Sequence, residues 1–230
     1  TTVCLKCYKA GKSCRHCSRH YPSNYPDCPC RIPRDFNKMV LSHDTDITKV
    51  YYDRDIDIRL FGIEFEVATK NGNRMFLKEI LDHTQELIGT KAGCLWDGSI
   101  NYVQGNRDKP TGYNGFEVVT VPQNYKNSVE FIRNFCQNRH SLLYSWECKT
   151  TGLHIHVSKK SLNRIEIGKL LEFVNAEYNR DFMNFIAKRE EKHYAKYTEK
   201  KITDYNNKSK DCHYEALNTS KEHTIEFRMF

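Results

Sequence analysis

The stretch Phe61-Gly62-Ile63-Glu64-Phe65-Glu66-Val67 constrains this chain more than any other. Side chains alternate faces along a strand, so Ile63, Phe65 and Val67 point one way and Glu64 and Glu66 the other. Two close carboxylates repel each other and hold protons unless positive charge sits between them. A hard divalent cation is one natural source of that charge. Taken alone, the heptapeptide reads more plainly as an amphipathic strand with a wet acidic face. Recurrence of the same design is what separates the two readings.

Three later segments repeat it. Gly115-Phe116-Glu117-Val118-Val119-Thr120-Val121-Pro122 sets Phe116 and Val118 against Glu117. Gly152-Leu153-His154-Ile155-His156-Val157-Ser158 places both imidazoles on the face opposite its apolar residues. A His-x-His strand of this kind suits a metal or phosphate oxygens, although two strand histidines by themselves read as surface residues. Thr224-Ile225-Glu226-Phe227-Arg228-Met229-Phe230 packs Ile225, Phe227 and Met229 and turns Glu226 and Arg228 the other way. In one antiparallel sheet, these strands bring four carboxylates, two imidazoles and a guanidinium to one concave surface. That many ionisable groups need cations, and the carboxylate content favours Mg2+ or Mn2+. A carboxylate-bound metal pair beside an Arg suits phosphoryl transfer, because together they neutralise the transferring phosphate.

Between the strands, residues 74–89 carry Phe76, Leu77, Ile80, Leu81, Leu87 and Ile88 at helical spacing, and Gly89 suits a helix end. Asp97-Gly98-Ser99 is a turn signal. Residues 125–139 predict a second amphipathic helix through Val129, Ile132, Phe135 and Cys136. Residues 164–188 predict one long helix burying Ile167, Leu170, Leu171, Val174 and Phe182. The polar run 188–213 reads as a lid, a binding loop or a merely solvated insertion. Residues 50–59 alternate with the opposite parity to the strand at 61, which predicts a bulge or strand break near residues 60–62.

At 230 residues the chain has room for one sizeable core and a small appendage. A hydrophobic fraction of 39%, with no apolar run long enough to span a bilayer, leads to the expectation of a soluble protein without membrane association. No apolar h-region of a secretion signal stands near the first residue. The net charge of +7 is concentrated in residues 1–34, which hold seven Lys/Arg and one Asp. Six of the ten cysteines fall there as well: Cys4, Cys7, Cys14, Cys17, Cys28 and Cys30, with His16 and His20 among them. Clustered C-x-x-C pairs with scattered thiols elsewhere suit a structural zinc module in a reducing, cytoplasmic setting. Six Cys and two His fill two tetrahedral sites, or make one Cys4 site with spare thiols. Local disulfides are the other reading, for an exported chain. Such a module is too short to bury a core, so the metal would supply its folding energy. Its Lys and Arg residues suit protein docking or contact with nucleic-acid phosphates. Gly11-Lys12-Ser13 is not a phosphate-binding loop, since the Gly that this pattern needs five residues earlier is Lys6. The expected organisation is a zinc-binding segment at 1–34, a linker at 35–49 and a catalytic domain at 50–230.

The ordered set G-x-E-x-E (62–66), D-G-S (97–99), G-x-E-V-V-T-x-P (115–122), G-L-H-I-H-V (152–157) and T-I-E-F-R (224–228) resembles the amidoligases. These are a small family within the glutamine synthetase-like carboxylate–amine ligases. The likeness covers residues 61–230 and leaves the cysteine segment outside. It implies an α+β fold, a curved antiparallel sheet backed by helices. It also implies an ATP-dependent ligase that phosphorylates a carboxylate and passes the acyl group to an amine, with small molecules or peptides as substrates. By the same likeness Glu64, Glu66, Glu117, His154 and Glu226 would be metal ligands. His156 would lie near the ATP phosphates, Arg228 would stabilise the transferring phosphoryl group, and Asp97 and Ser99 would stand on the substrate side.

The sequence departs from the family pattern at His213-Tyr214, where an Arg-Tyr pair often precedes Ala-Leu-Asn, here Ala216-Leu217-Asn218. Arg189 and Tyr194 resemble a further family feature loosely. Two other readings compete with the ligase. One is a guanidino-kinase-like phosphotransferase on a related fold. The other is a degenerate ligase fold that binds nucleic acid or protein through the zinc module.

Overall fold

The computed structural model describes residues 12–13, 20–21, 40–43, 45, 59–69, 77–100, 115–145, 150–188, 195–206 and 214–230. Strands β1 (Lys12–Ser13) and β2 (His20–Tyr21) pair antiparallel in a small ribbon of their own. The expected zinc ligands Cys4, Cys7, Cys14, His16, Cys17, Cys28 and Cys30 lie outside the described residues. His20 is described only through its place in β2. The alternating run before residue 59 also lies outside, as do Arg189, Tyr194 and His213.

The remaining strands form one seven-stranded sheet whose paired strands all run antiparallel. They are β3 (Phe61–Thr69), β4 (Ala92–Leu95), β5 (Gly115–Thr120), β6 (Leu143–Tyr144), β7 (Leu153–Ser158), β8 (Leu217–Asn218) and β9 (Thr224–Phe227). Their order is β4-β5-β3-β7-β9-β8, with β6 paired to the end of β3. The four strands read from the sequence are therefore the four central neighbours. β4, β6 and β8 are additional strands.

Register fixes which residues share a face, because partners directly opposite each other point the same way. Ile63 pairs with Ile155, Phe65 with Val118, Val67 with Phe116, and Val157 with Ile225. These side chains make one apolar face, and the helices pack on it. Helices α1 (Leu77–Ile88) and α2 (Tyr125–Asn138) bury Leu77, Ile80, Leu81, Phe131 and Phe135 against β3 and β5. Helices α3 (Arg164–Asn175) and α4 (Arg180–Ala187) bury Leu171, Val174 and Met183 with Leu217 and Met229. Ile167 joins Val157 and Ile225. The opposite face is left to the ionisable residues.

Local chemistry sets the helix ends. α1 stops where Gly89 takes φ +55°, a left-handed conformation that costs glycine little. Asn124 caps α2 by accepting the Asn127 N–H at 2.9 Å. At α3, Asn163 accepts the Glu166 N–H at 2.9 Å and Glu166 accepts the Asn163 N–H at 2.7 Å, a reciprocal capping box.

Two helical expectations are corrected. The long helix over 164–188 is broken: Ala176 is extended, a 3-10 turn spans Glu177–Asn179, and α4 starts afresh. Buried Asn175 donates to the Leu171 carbonyl at 2.9 Å and accepts the Thr198 N–H at 3.0 Å, while Asn179 donates to the Phe173 carbonyl at 3.0 Å. Such side-chain bonds offer the backbone an alternative to the helix. Phe182, expected inside, is exposed, and Met183 is buried in its place. On α2 the buried face is Ser128, Phe131 and Phe135, with Val129 and Ile132 half-buried and Cys136 exposed. The face turns to bring the Phe131 ring inward, where it stacks on Phe135, itself stacked on Phe65 at 4.8 Å.

Within the stretch expected as a linker, Val40 is buried in the main core, and Leu41 exchanges backbone bonds with the edge strand β4. Within the polar run 188–213, Lys196 bridges Glu215, and the 3-10 turn Ile202–Asn206 packs on α3. No helix among the described residues is long and apolar enough to cross a membrane.

Gly168 gives a test of that last packing. A Cβ there would stand 2.5 Å from the Ile202 carbonyl oxygen. Helix propensity alone would make Gly168→Ala stabilising by about 1 kcal/mol. The clash with backbone cannot be relieved by a side-chain rotation, and overpacking of this kind costs about 1–3 kcal/mol. The expected outcome in urea unfolding is a net loss of stability, and a more stable variant would contradict the packing described.

Candidate metal centre on the open face of the sheet

The same register that builds the core builds the polar face. Glu66 stands directly opposite Glu117 across β3 and β5, and Glu64 opposite His154 across β3 and β7. His156 stands between Gly62 and Glu226, and Glu226 is paired in turn with Asn218 on β8. Arg228, just past β9, lies on this face two residues after Glu226. Four sequence-distant strands thus put all seven expected residues in adjoining rows.

The side chains interlock. His154 Nδ1 lies 2.8 Å from Glu64 Oε1, and His156 Nε2 lies 3.2 Å from Glu64 Oε2. Glu226 is fully buried. It accepts from Arg228 at 2.6 Å on one oxygen and from Asn218 Nδ2 at 2.8 Å on the other. The Asn218 amide orientation is determined, because its oxygen accepts from both the N–H and the hydroxyl of Ser220. At the β4 side, Asp97 accepts the Ser99 N–H at 2.7 Å and the Ser99 hydroxyl at 2.8 Å, closing the expected turn. The same Asp97 carboxyl lies close enough to Glu117 to add to the upward shift of its carboxyl.

Positive charge is insufficient at one end of this face. Burial pushes the Glu117 carboxyl up to about 10, and the neighbouring acids Glu64, Asp97 and Glu66 add to the shift. Burial also lifts Glu66 to about 7, with His154 opposing and Glu64 and Asp97 adding. At the other end the balance reverses. Burial acts to raise Glu64, but the hydrogen bonds from His154 and His156 outweigh it and hold the carboxyl well below its ordinary value. Burial likewise acts to raise Glu226, and the Arg228 charge with both imidazoles lowers it overall. His154 is disfavoured as a cation by burial, yet its bond to Glu64 and the charges of Glu64 and Glu66 raise it above the ordinary imidazole value.

This donor set fits divalent metal. Glu64, His154 and Glu226 each offer an atom within 4.8 Å of the others, and so do Glu64, Glu66 and Glu117. Glu64 belongs to both groups. Oxygens held at about 2.1 Å around one ion lie about 3–4 Å apart. His154 Nδ1 and Glu226 Oε1 at 3.5 Å match that spacing, and His154 Nε2 at 3.8 Å from Glu66 Oε1 ties the two groups together. Hard carboxylate donors with one imidazole suit Mg2+ or Mn2+ over softer ions.

Two residues of the site escaped sequence reasoning. Asn218 sits on a two-residue strand, too short for alternation to show, and only its place in the Ala-Leu-Asn run marked it. His43 Nδ1 reaches within 3.7 Å of Glu117 Oε2 from the segment expected as linker. Only Val40 and Leu41, an apolar pair before it, signalled that this segment docks. Neither a family model nor a curated protein nor a solved structure matches the chain.

Because ligands must shed protons before they hold metal, binding of an ion here would be pH-dependent. Glu117, titrating at about 10, carries its proton throughout the neutral range, and Glu66, at about 7, carries part of one. Lower pH therefore opposes the ion. Calorimetry should show Mn2+ affinity rising at least about tenfold per pH unit between pH 6 and 8, one proton or more leaving per ion bound. Equal affinity at both ends of that range would contradict the electrostatics described.

Proposed function

We propose that the chain is an ATP-dependent carboxylate–amine ligase with a glutamine synthetase-like core, as the likeness to the amidoligases implies. The observation that carries this reading is the pair of three-donor groups sharing Glu64, with Arg228 at their edge, on the sheet face opposite the described helices. Glu64, Glu66, Glu117, His154 and Glu226 would hold two Mg2+ or Mn2+ ions. Ions in these positions would supply charge neutralisation and Lewis acidity to ATP phosphates.

The residues of the chain do the rest. Glu226, pinned by Asn218 and Arg228, keeps its carboxylate ionised and directed at the site. Arg228 offers a delocalised cation whose planar fork matches phosphate oxygens, which suits the γ-phosphoryl group as it transfers. His156, held between Glu64 and Thr224, would lie near the ATP phosphates, as the likeness implies. The Asp97-Gly98-Ser99 turn, at the Glu117 end, borders the substrate side. In the reaction a substrate carboxylate oxygen attacks the γ-phosphorus and ADP leaves. The amine nitrogen then attacks the acyl carbon, inorganic phosphate departs, and the amine loses a proton. Phosphorylation makes the carboxylate oxygen a good leaving group, so the amide forms in water. The amino-terminal segment, in this reading, is a structural zinc module working in a cytoplasmic, reducing setting, with protein or nucleic acid as its contact.

The test is ADP release, measured with small acids or peptide carboxylates as donors and ammonia, amino acids or diamines as acceptors. The expected result is ADP release that depends on the amine and yields equimolar phosphate. Arg228→Lys should lower kcat by about 10²–10³, the usual cost of losing a group aimed at transition-state charge. ADP release with a stable phosphorylated acceptor would favour the kinase reading, and no ADP release with any pair would contradict the ligase.

A further inference from the structure

The back of the molecule carries a second surface that the ligase reading does not use. Ten large apolar side chains are exposed among the described residues, and seven belong to one layer, the outer side of α3, α4 and the 3-10 turns beside them. On α3 these are Ile165, 62% exposed, and Phe173. Tyr178 follows on the connecting turn at 79%. α4 then presents Phe182, Phe185 and Ile186 at i, i+3 and i+4, one stripe along the helix, with Phe185 67% exposed. The inner faces of these same helices are satisfied, since Leu171, Val174 and Met183 already line the core. The helices are therefore apolar on two sides, which an ordinary surface helix is not.

The layer has relief as well as area. Five apolar side chains, Phe173, Tyr178 and Ile202 among them, and three charged ones, Glu166, Lys169 and Glu172, line a groove of about 570 Å3. Phe173, on the groove wall, meets Phe182 edge to face at 6.1 Å, so the aromatic stripe of α4 runs directly beside the groove. A ridge and a groove side by side are what a two-fold axis needs, because each copy's ridge then enters the other's groove.

We propose that this layer is a homodimer interface, in which α4 of one copy lays Phe182, Phe185 and Ile186 into the α3 groove of a second. Area and charge both point to a second copy as the occupant. Seven exposed large apolar side chains make a patch on the order of 800 Å2, what one partner buries in a stable interface of standard size. Residues 164–188 carry four basic and four acidic side chains interspersed along the segment, with no net charge. A phosphate backbone or an anionic bilayer would select a basic surface. A neutral mosaic pairs well with its own two-fold image, each sign meeting its opposite at the rim. The candidate metal face lies across the sheet, so association here does not depend on what that face catalyses.

The experiment is the mass of the full chain by light scattering over a concentration series, for wild type, Phe185→Asp and Ile165→Asp. The two substitutions lie on different helices and on side chains more than three-fifths exposed, so each leaves the core intact. The expected result is a two-chain mass for wild type and a shift to one chain for both variants, with unchanged circular dichroism and unchanged Mn2+ binding. Either variant suffices if the other fails to fold. A one-chain wild type overturns the proposal and turns attention to another cover for the patch, whether a different protein or a further segment of this chain. Two-chain variants overturn it as well, by placing the interface elsewhere.

Discussion

Glu66 and Glu117 are buried directly opposite each other on paired strands, with Glu64 and Asp97 nearby. Like charges in that position destabilise a sheet unless protons or cations intervene. The close hydrogen bonds of the cationic groups go to the other two acids: both imidazoles bond Glu64 and Arg228 bonds Glu226, while His154 and His43 come no nearer than 3.8 Å to Glu66 and 3.7 Å to Glu117. One end of the face is thus neutralised by the chain's own cations, and at the other burial and crowding keep the proton on Glu117 and part of one on Glu66, which a bound cation would displace.

The asymmetry depends in turn on strand register. A slip of one residue in β3 would move Glu64 and Glu66 into the core and Ile63 and Phe65 into water. Register is held by the apolar face, where Phe65 stacks on Phe135 and Val67 meets Phe116. The four described helices pack on that face and the ionisable residues share the opposite one, so core and site are two consequences of one alternation. Asn218 then fixes the last acid, Glu226, by a bond whose direction Ser220 determines.

That alternation is why the centre of the fold was legible in the sequence. Four segments with period-two patterning are four neighbouring strands, and Glu64, Glu66, Glu117, His154, His156, Glu226 and Arg228 meet as their parity requires. Shorter elements left no such mark. β4 reads Ala-Gly-Cys-Leu and is buried on both faces, so nothing alternates, and β6 and β8 are two residues each. The break after α3 was hidden because Asn175 and Asn179 act through tertiary and side-chain bonds, which periodicity does not register. The α2 face was misread because Phe131 and Val129 compete for the interior, and ring packing against β3 favours Phe131. His43 reaches Glu117 only because Leu41 pairs with β4, a contact between distant segments that no local pattern announces.

Central to the proposed function is a pair of divalent ions sharing Glu64. The most direct measurement is anomalous diffraction from crystals of the full chain grown with Mn2+. The account predicts two manganese peaks about 3.5–4 Å apart, as in two-metal phosphoryl-transfer sites. One should be bounded by His154 and Glu226, the other by Glu66 and Glu117, with a Glu64 oxygen on each. Ordered Glu64, Glu66 and Glu117 side chains with no manganese among them would contradict it.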